Sequence, residues 1–162
     1  DARHDHALAA ICNQETLQPI LDAADAAGLR IDTIEPALSA ACRAASRLAD
    51  LPDEACMLIH LDAPSPEIGV FRGSDLALDY RPGGQRGASD LAALLEKHLN
   101  RLRRHARRRL GDASARLSHV YLCGAESCVA DALEDFRDSD EFQVARIDPG
   151  KVQGTWHLDA DA

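Results

Sequence analysis

Three short strand-like runs in close succession constrain the fold of this chain more than any other feature. The runs cover residues 56–61, 67–72 and 76–80, and each is rich in aliphatic side chains. Gly73 and Ser74 join the last two runs, and a glycine-containing pair between two strands predicts a tight hairpin turn. We therefore expect a three-strand antiparallel meander.

A regular alternation of helices and strands follows the meander. After a glycine-rich loop at 81–88, residues 89–110 carry leucines at helical spacing, which predicts a long helix with one apolar face. A strand at 119–123, a helix at 127–136 and a strand at 142–147 come next. The order β-β-β-α-β-α-β predicts a mixed five-strand sheet in which crossover helices add the last two strands. This is the ribonuclease-H-like arrangement.

The first 52 residues are organised differently. Residues 7–13 and 29–35 have the apolar patterns of strands, and residues 14–27 and 37–51 have helical spacing, the latter rich in alanine. We therefore expect a β-α-β-α lobe in front of the sheet. The predicted domains are the lobe at 1–52, the ribonuclease-H-like subdomain at 53–150 and a C-terminal tail at 151–162.

The composition argues against several classes of protein. With 27 acidic and 18 basic residues the net charge is −9, which disfavours general binding to nucleic acid or anionic lipid. Five cysteines without a CxxC pair predict free thiols in a reducing, cytoplasmic compartment. No uncharged run in this sequence is long enough to span a bilayer, and its first residues do not have the pattern of a signal peptide. Because the chain starts with Asp1, we expect a fragment of a longer protein.

The helix predicted at 89–110 concentrates basic side chains. Arg101, Arg104 and Arg108 share one face at helical spacing, and Lys97 extends it. The face suits an acidic partner or nucleic acid, although a solvated surface is the simplest explanation. Because the helix has no aromatic side chain to stack on bases, nucleic acid is the less favoured partner. We assign no catalytic residue and no metal ligands, since no Ser/His/Asp, Cys/His or zinc-like spacing occurs.

Three segments of the chain form a recognisable series. They are 23–44 (AADAAGLRIDTIEPALSAACRA), 56–82 (CMLIHLDAPSPEIGVFRGSDLALDYRP) and, after the long helix, 117–127 (LSHVYLCGAES). Together they resemble the family of the type IV pilus assembly protein PilM and the related cytoplasmic domain of the type II secretion protein GspL. This resemblance implies an actin-like ATPase fold and a scaffold role. It also implies protein partners in an inner-membrane assembly, which bind through short peptide contacts, with no membrane insertion of this segment.

Nucleotide binding in that family uses glycine-rich phosphate turns. The resemblance implies phosphate or metal roles for Asp62 and Ser65 after the first meander strand, and for Gly124 after the strand at 119–123. Pro64 stands where the family has a glycine, and Ala125 where it has a second glycine. Proline removes an N–H donor and stiffens the turn. We therefore expect no bound cofactor. The cofactor that the resemblance implies is ATP with Mg²⁺.

Three functions follow as hypotheses. The leading one is a non-catalytic scaffold or interaction domain of a pilus-assembly or secretion-like complex. The first alternative is a metal-dependent phosphoryl-transfer enzyme, an ATPase or a nuclease, that uses Asp62 with Glu67 or Asp79. The second alternative is binding of nucleic acid or an acidic partner by the arginine-rich helix at 97–109.

Overall fold

Helices and strands of the computed structural model are described for residues 9–62, 65–83, 91–111 and 116–148. Within these ranges the chain has four helices and five strands. In chain order they are α1 (Gln14–Ala26), α2 (Ala37–Leu48), β1 (Cys56–His60), β2 (Glu67–Arg72), β3 (Asp75–Tyr80), α3 (Leu91–Leu110), β4 (His119–Cys123), α4 (Glu126–Asp135) and β5 (Gln143–Arg146). The predicted α/β class is therefore confirmed.

The five strands form one mixed sheet in the order β3-β2-β1-β4-β5. Strand β2 pairs antiparallel with both β1 and β3, whereas β4 pairs parallel with β1 and β5 parallel with β4. Gly73 begins the turn between β2 and β3 at φ +57°, a conformation that glycine adopts at no steric cost. The predicted meander, hairpin and mixed sheet are all present.

Helices cover both faces of the sheet, and β1 supplies apolar side chains to each. Met57 and Ile59 contribute to the larger core beneath α3 and α4, while Cys56 and Leu58 belong to the core beneath α2. Successive strand residues point to opposite faces, so a central strand covered on both sides must be apolar throughout. This explains why the strand could be recognised as an uninterrupted apolar run.

Helix α3 is fixed against the larger core by a single apolar stripe. Its buried residues are Leu91, Leu94, Leu95, Leu99, Leu102 and Ala106. These positions recur every three or four residues, which places them on one side of the helix. The helix ends at Leu110, and the next residue, Gly111, has a φ of +87°, as expected for a left-handed terminator. The basic side chains must therefore lie on the opposite, outer side.

Helix α2 packs closely on the meander. A Cβ atom built on Gly69 of β2 would lie 3.2 Å from Leu38 Cγ and 3.0 Å from Leu76 Cδ1. The glycine thus leaves room for the helix to approach the sheet, and Leu38, Cys42 and Ala45 are buried there. Helix α2 shares a core with the sheet, whereas the proposed domain boundary at residue 52 stays a prediction.

The two predicted strands of the N-terminal lobe are wrong within the described residues. Neither 9–13 nor 29–35 pairs with a described strand, although helix α1 between them forms as predicted and buries no residue. A strand is defined by hydrogen bonds to a neighbour, and alternating side chains alone do not supply one. Most of the predicted loop at 81–88 and the whole tail at 151–162 lie outside the described residues.

Candidate functional site

Asp62 and Gly124 meet at one edge of the sheet. They follow β1 and β4, which are parallel neighbours, so the carboxyl ends of both strands lie side by side. The Asp62 Oδ1 atom accepts a hydrogen bond from the backbone N–H of Ala125, at 2.5 Å. The structure therefore brings together two of the three residues for which the resemblance implied nucleotide or metal contact.

Gly124 is constrained by this contact. Its φ is +141°, and an added Cβ would lie 3.0 Å from Asp62 Oδ1 and 3.2 Å from the backbone nitrogen of Leu61. A larger residue would press on the adjacent turn. Gly124, for which the resemblance implied a phosphate contact, is thus required by its backbone conformation and by the close approach of Asp62.

The Asp62 carboxylate lies at the N-terminus of helix α4. Ala125 is the N-cap residue of this helix and provides no side-chain cap. Helix N-termini attract anions through their unpaired N–H groups and the helix dipole. Here the chain's own Asp62 carboxylate accepts the hydrogen bond of the N-cap N–H. Ser65, the third predicted residue, is half-buried, and no hydrogen bond among the described residues joins its side chain to this contact.

A network of charged side chains continues from Asp62 along the sheet. The His60 ring lies 3.3 Å from Asp62 Oδ2 and 3.4 Å from Glu67 Oε2. Arg81 in turn approaches Glu67 at 3.0 Å and Asp79 at 3.5 Å. Each carboxylate therefore faces a histidine or an arginine, and the buried Glu67 lies between the two.

Sequence reasoning did not find this network. The sequence analysis included His60 in the first strand-like run and Arg81 in the glycine-rich loop, and it proposed Glu67 or Asp79 as a partner of Asp62. The antiparallel register places His60 opposite Glu67 and Gly69 opposite Asp79. A hairpin alignment of the two strands would have suggested the first pair.

The described residues contain no group of three or more His, Cys, Asp or Glu side chains that could hold a metal ion. Asp62 and Glu67 both contact His60 but lie on opposite sides of it, and Arg81 neutralises Glu67. The arrangement can hold strand ends together and balance charge. Magnesium or ATP binding stays a prediction to be tested.

Two thiols lie near the network but are poor nucleophiles. Burial raises the pKa of Cys42 to about 12, with a smaller contribution from Cys123. Burial likewise raises the pKa of Cys123 to about 11, assisted by the negative charges of Asp62 and Glu67. Only the thiolate is reactive, so neither cysteine is poised for covalent catalysis at neutral pH.

The basic face predicted on the long helix is present on α3. Arg101 lies over the ring of Tyr80, 5.3 Å from its centroid, a cation–π geometry. Arg104 and Arg108 are exposed and form no ion pair with another described residue. Arg103 points elsewhere, donating to the Arg116 carbonyl and to Glu141.

Comparison with known proteins adds no family assignment. No protein-family model matches this chain, and no curated protein is significantly similar to it. Among the described residues, no helix has the length and apolar character needed to cross a membrane.

Proposed function

We propose that this chain is a non-catalytic interaction domain with a ribonuclease-H-like sheet, acting as a scaffold in a pilus-assembly or secretion-like complex at the inner membrane. The antiparallel meander extended by two parallel strands supports the fold assignment. The segment series that resembles the PilM and GspL families supports the cellular role.

The observation that carries the proposal is an exposed apolar surface confined to one segment. All large hydrophobic side chains that are exposed in the described residues lie between positions 11 and 34; they are Ile11, Ile20, Leu21, Leu29, Ile31 and Ile34. We name this set the apolar N-terminal segment. Exposed apolar side chains grouped in this way are typical of binding surfaces.

The apolar N-terminal segment suits a short extended peptide as its partner. Residues 29–35 have no regular secondary structure, so their backbone groups belong to no strand ladder with another described segment. A peptide strand added alongside would satisfy these groups, while its side chains would cover Leu29 and Ile31. Short peptide contacts with membrane proteins are also what the family resemblance implies.

The hydrogen bond from the Ala125 N–H to Asp62 at the N-terminus of α4 supports a non-catalytic role. A nucleotide phosphate would have to displace Asp62 from Ala125, and it would then meet a carboxylate of the same charge. Such a like-charge contact disfavours binding. The proposal therefore expects neither micromolar Mg·ATP binding nor ATP hydrolysis, and calorimetric titration with a phosphate-release assay measures both. Micromolar binding with turnover would contradict it.

The partner is tested with synthetic peptides that cover the cytoplasmic segments of pilus and secretion inner-membrane proteins from the same cell. At least one peptide is expected to bind the protein and to lose about tenfold or more in affinity with Ile31→Asp. Ala130→Asp adds the same charge at an exposed position of α4 and should leave binding unchanged. Equal loss in both variants, or no binding peptide at all, would count against the proposal.

A metal-dependent phosphoryl-transfer enzyme is the second candidate. The chain of contacts that links Asp62, Glu67 and Asp79 through His60 and Arg81 favours it, because such enzymes gather carboxylates at a strand edge. Titration with Mn²⁺ or Mg²⁺ under NMR observation separates the two candidates. Selective broadening or shifting of the Asp62 and Glu67 signals supports the enzyme, and unchanged spectra eliminate it.

A further inference from the structure

We propose that the outer face of α3 binds an acidic helix of a protein partner through a row of four cations, Lys97, Arg101, Arg104 and Arg108, which we name the basic row. This inference rests on the proposed interaction function and adds a second surface, with the chemistry of its partner. The surface lies on the side of the sheet opposite α2.

The basic row is straight and continuous. At about 100° per residue its four positions fall within an arc of about 60°, and they extend over roughly 16 Å of helix. All four side chains are exposed. Because the apolar stripe holds α3 against the core, the helix cannot rotate to turn the row away from solvent. The row is therefore a permanent feature of the surface.

A neighbouring ring orients Arg101 of the row, whereas Arg104 and Arg108 have no ion-pair partner among the described residues. The Tyr80 ring supports Arg101, and the Tyr80 hydroxyl lies 3.0 Å from His98 Nδ1. Arg104 and Arg108 have no ion pair with a described carboxylate. The pKa of His98 is lowered by burial first and then by Lys97 and Arg101, which agrees with a positive potential at the row.

The spacing of the row selects its partner. Its members are separated by four, three and four residues, so a helix with carboxylates at the same spacing can oppose each cation with one acid. Arginine can form paired hydrogen bonds to a carboxylate. DNA or RNA fits less well, because α3 offers no aromatic side chain for stacking and the protein has a net charge of −9.

The test uses two alanine-based helical peptides of about 18 residues, long enough to form a helix. One carries four glutamates in a row at the complementary spacing, and the other carries the same four spread around the helix. NMR titration at low salt should show the row peptide binding about tenfold more tightly. Shifts should map to α3, and binding should weaken steeply as salt rises.

Two charge-reversal variants decide where the peptide binds. Arg104→Glu combined with Arg108→Glu should reduce row-peptide affinity by about tenfold or more. Arg137→Glu combined with Arg146→Glu changes the charge equally on other elements and should have little effect. Ile31→Asp should leave this binding intact. Binding at the basic row is therefore tested independently of binding at the apolar N-terminal segment.

Three results would overturn the inference. The first is equal binding of the two peptides, which would indicate unspecific attraction of acids. The second is tighter binding of a single-stranded DNA oligonucleotide than of the row peptide. The third is self-association of the free protein in sedimentation experiments, if the Arg104→Glu/Arg108→Glu variant abolishes it. The basic row would then bind a second copy of this chain.

Discussion

Replacing Asp62 by alanine tests whether its carboxylate closes the N-terminus of α4. The substitution removes the acceptor of the Ala125 N–H bond and one of the two carboxylates beside His60. A closing carboxylate stabilises the fold, so its loss should reduce the free energy of unfolding. A carboxylate held ready for a metal ion is instead repelled by its acidic neighbours, and its loss should increase that free energy.

The expected loss in the free energy of unfolding is about 1–3 kcal/mol. Removing a side-chain acceptor at a helix N-terminus costs about 1 kcal/mol, and removing a negative charge there adds about 0.3–1 kcal/mol. The contact with His60 adds at most about 1 kcal/mol because the Asp62 side chain is 50% exposed. For a protein of this size, the melting temperature should fall by about 2–12 °C.

Urea denaturation followed by circular dichroism measures this effect, with two comparison variants. Asp62→Asn keeps an oxygen acceptor but loses the charge, so it should lose about half as much stability. Asp131→Ala removes a charge from an exposed position on the same helix and should change stability by less than about 0.5 kcal/mol. Unchanged or increased stability of Asp62→Ala would refute the closing role of Asp62.

Three further predictions concern the cores and the helix contacts. Gly69→Val should cost about 1–3 kcal/mol by overpacking against Leu38, and a neutral result in urea denaturation would contradict the close approach of α2. Because burial raises the pKa of Cys42 from 9.0 to about 12, the unfolded thiol ionises first and stability falls as pH rises above 9. Between pH 8 and about 10, the free energy of unfolding should therefore fall by about 1 kcal/mol less in Cys42→Ala than in the unsubstituted protein. Equal decreases in the two proteins would contradict the burial of this thiol. Arg103→Ala should cost about 1–2 kcal/mol in thermal denaturation through lost bonds to Arg116 and Glu141, whereas Arg108→Ala should be nearly neutral.

The candidate site was only partly accessible from the sequence. Asp62 and Gly124 could be named because the family resemblance implies phosphate or metal roles at the ends of these two predicted strands. Their direct contact depends on β1 and β4 being parallel neighbours, which the order of elements only suggests. The ion pairs of Arg81 depend on the register of β2 and β3 and on side-chain rotamers, neither of which leaves a local pattern.

Local periodicity by itself determined the meander, the helix boundaries near Gly28 and Gly111, and the side of α3 that is buried, because each depends on residues close together in the chain. Tertiary structure decided which apolar segments find a partner. Residues 56–59 and 29–35 both have strand-like patterns, but only the former pair with neighbouring strands in the described part of the chain. A strand requires a second backbone for its hydrogen bonds, and no sequence pattern within the strand specifies whether that backbone is present.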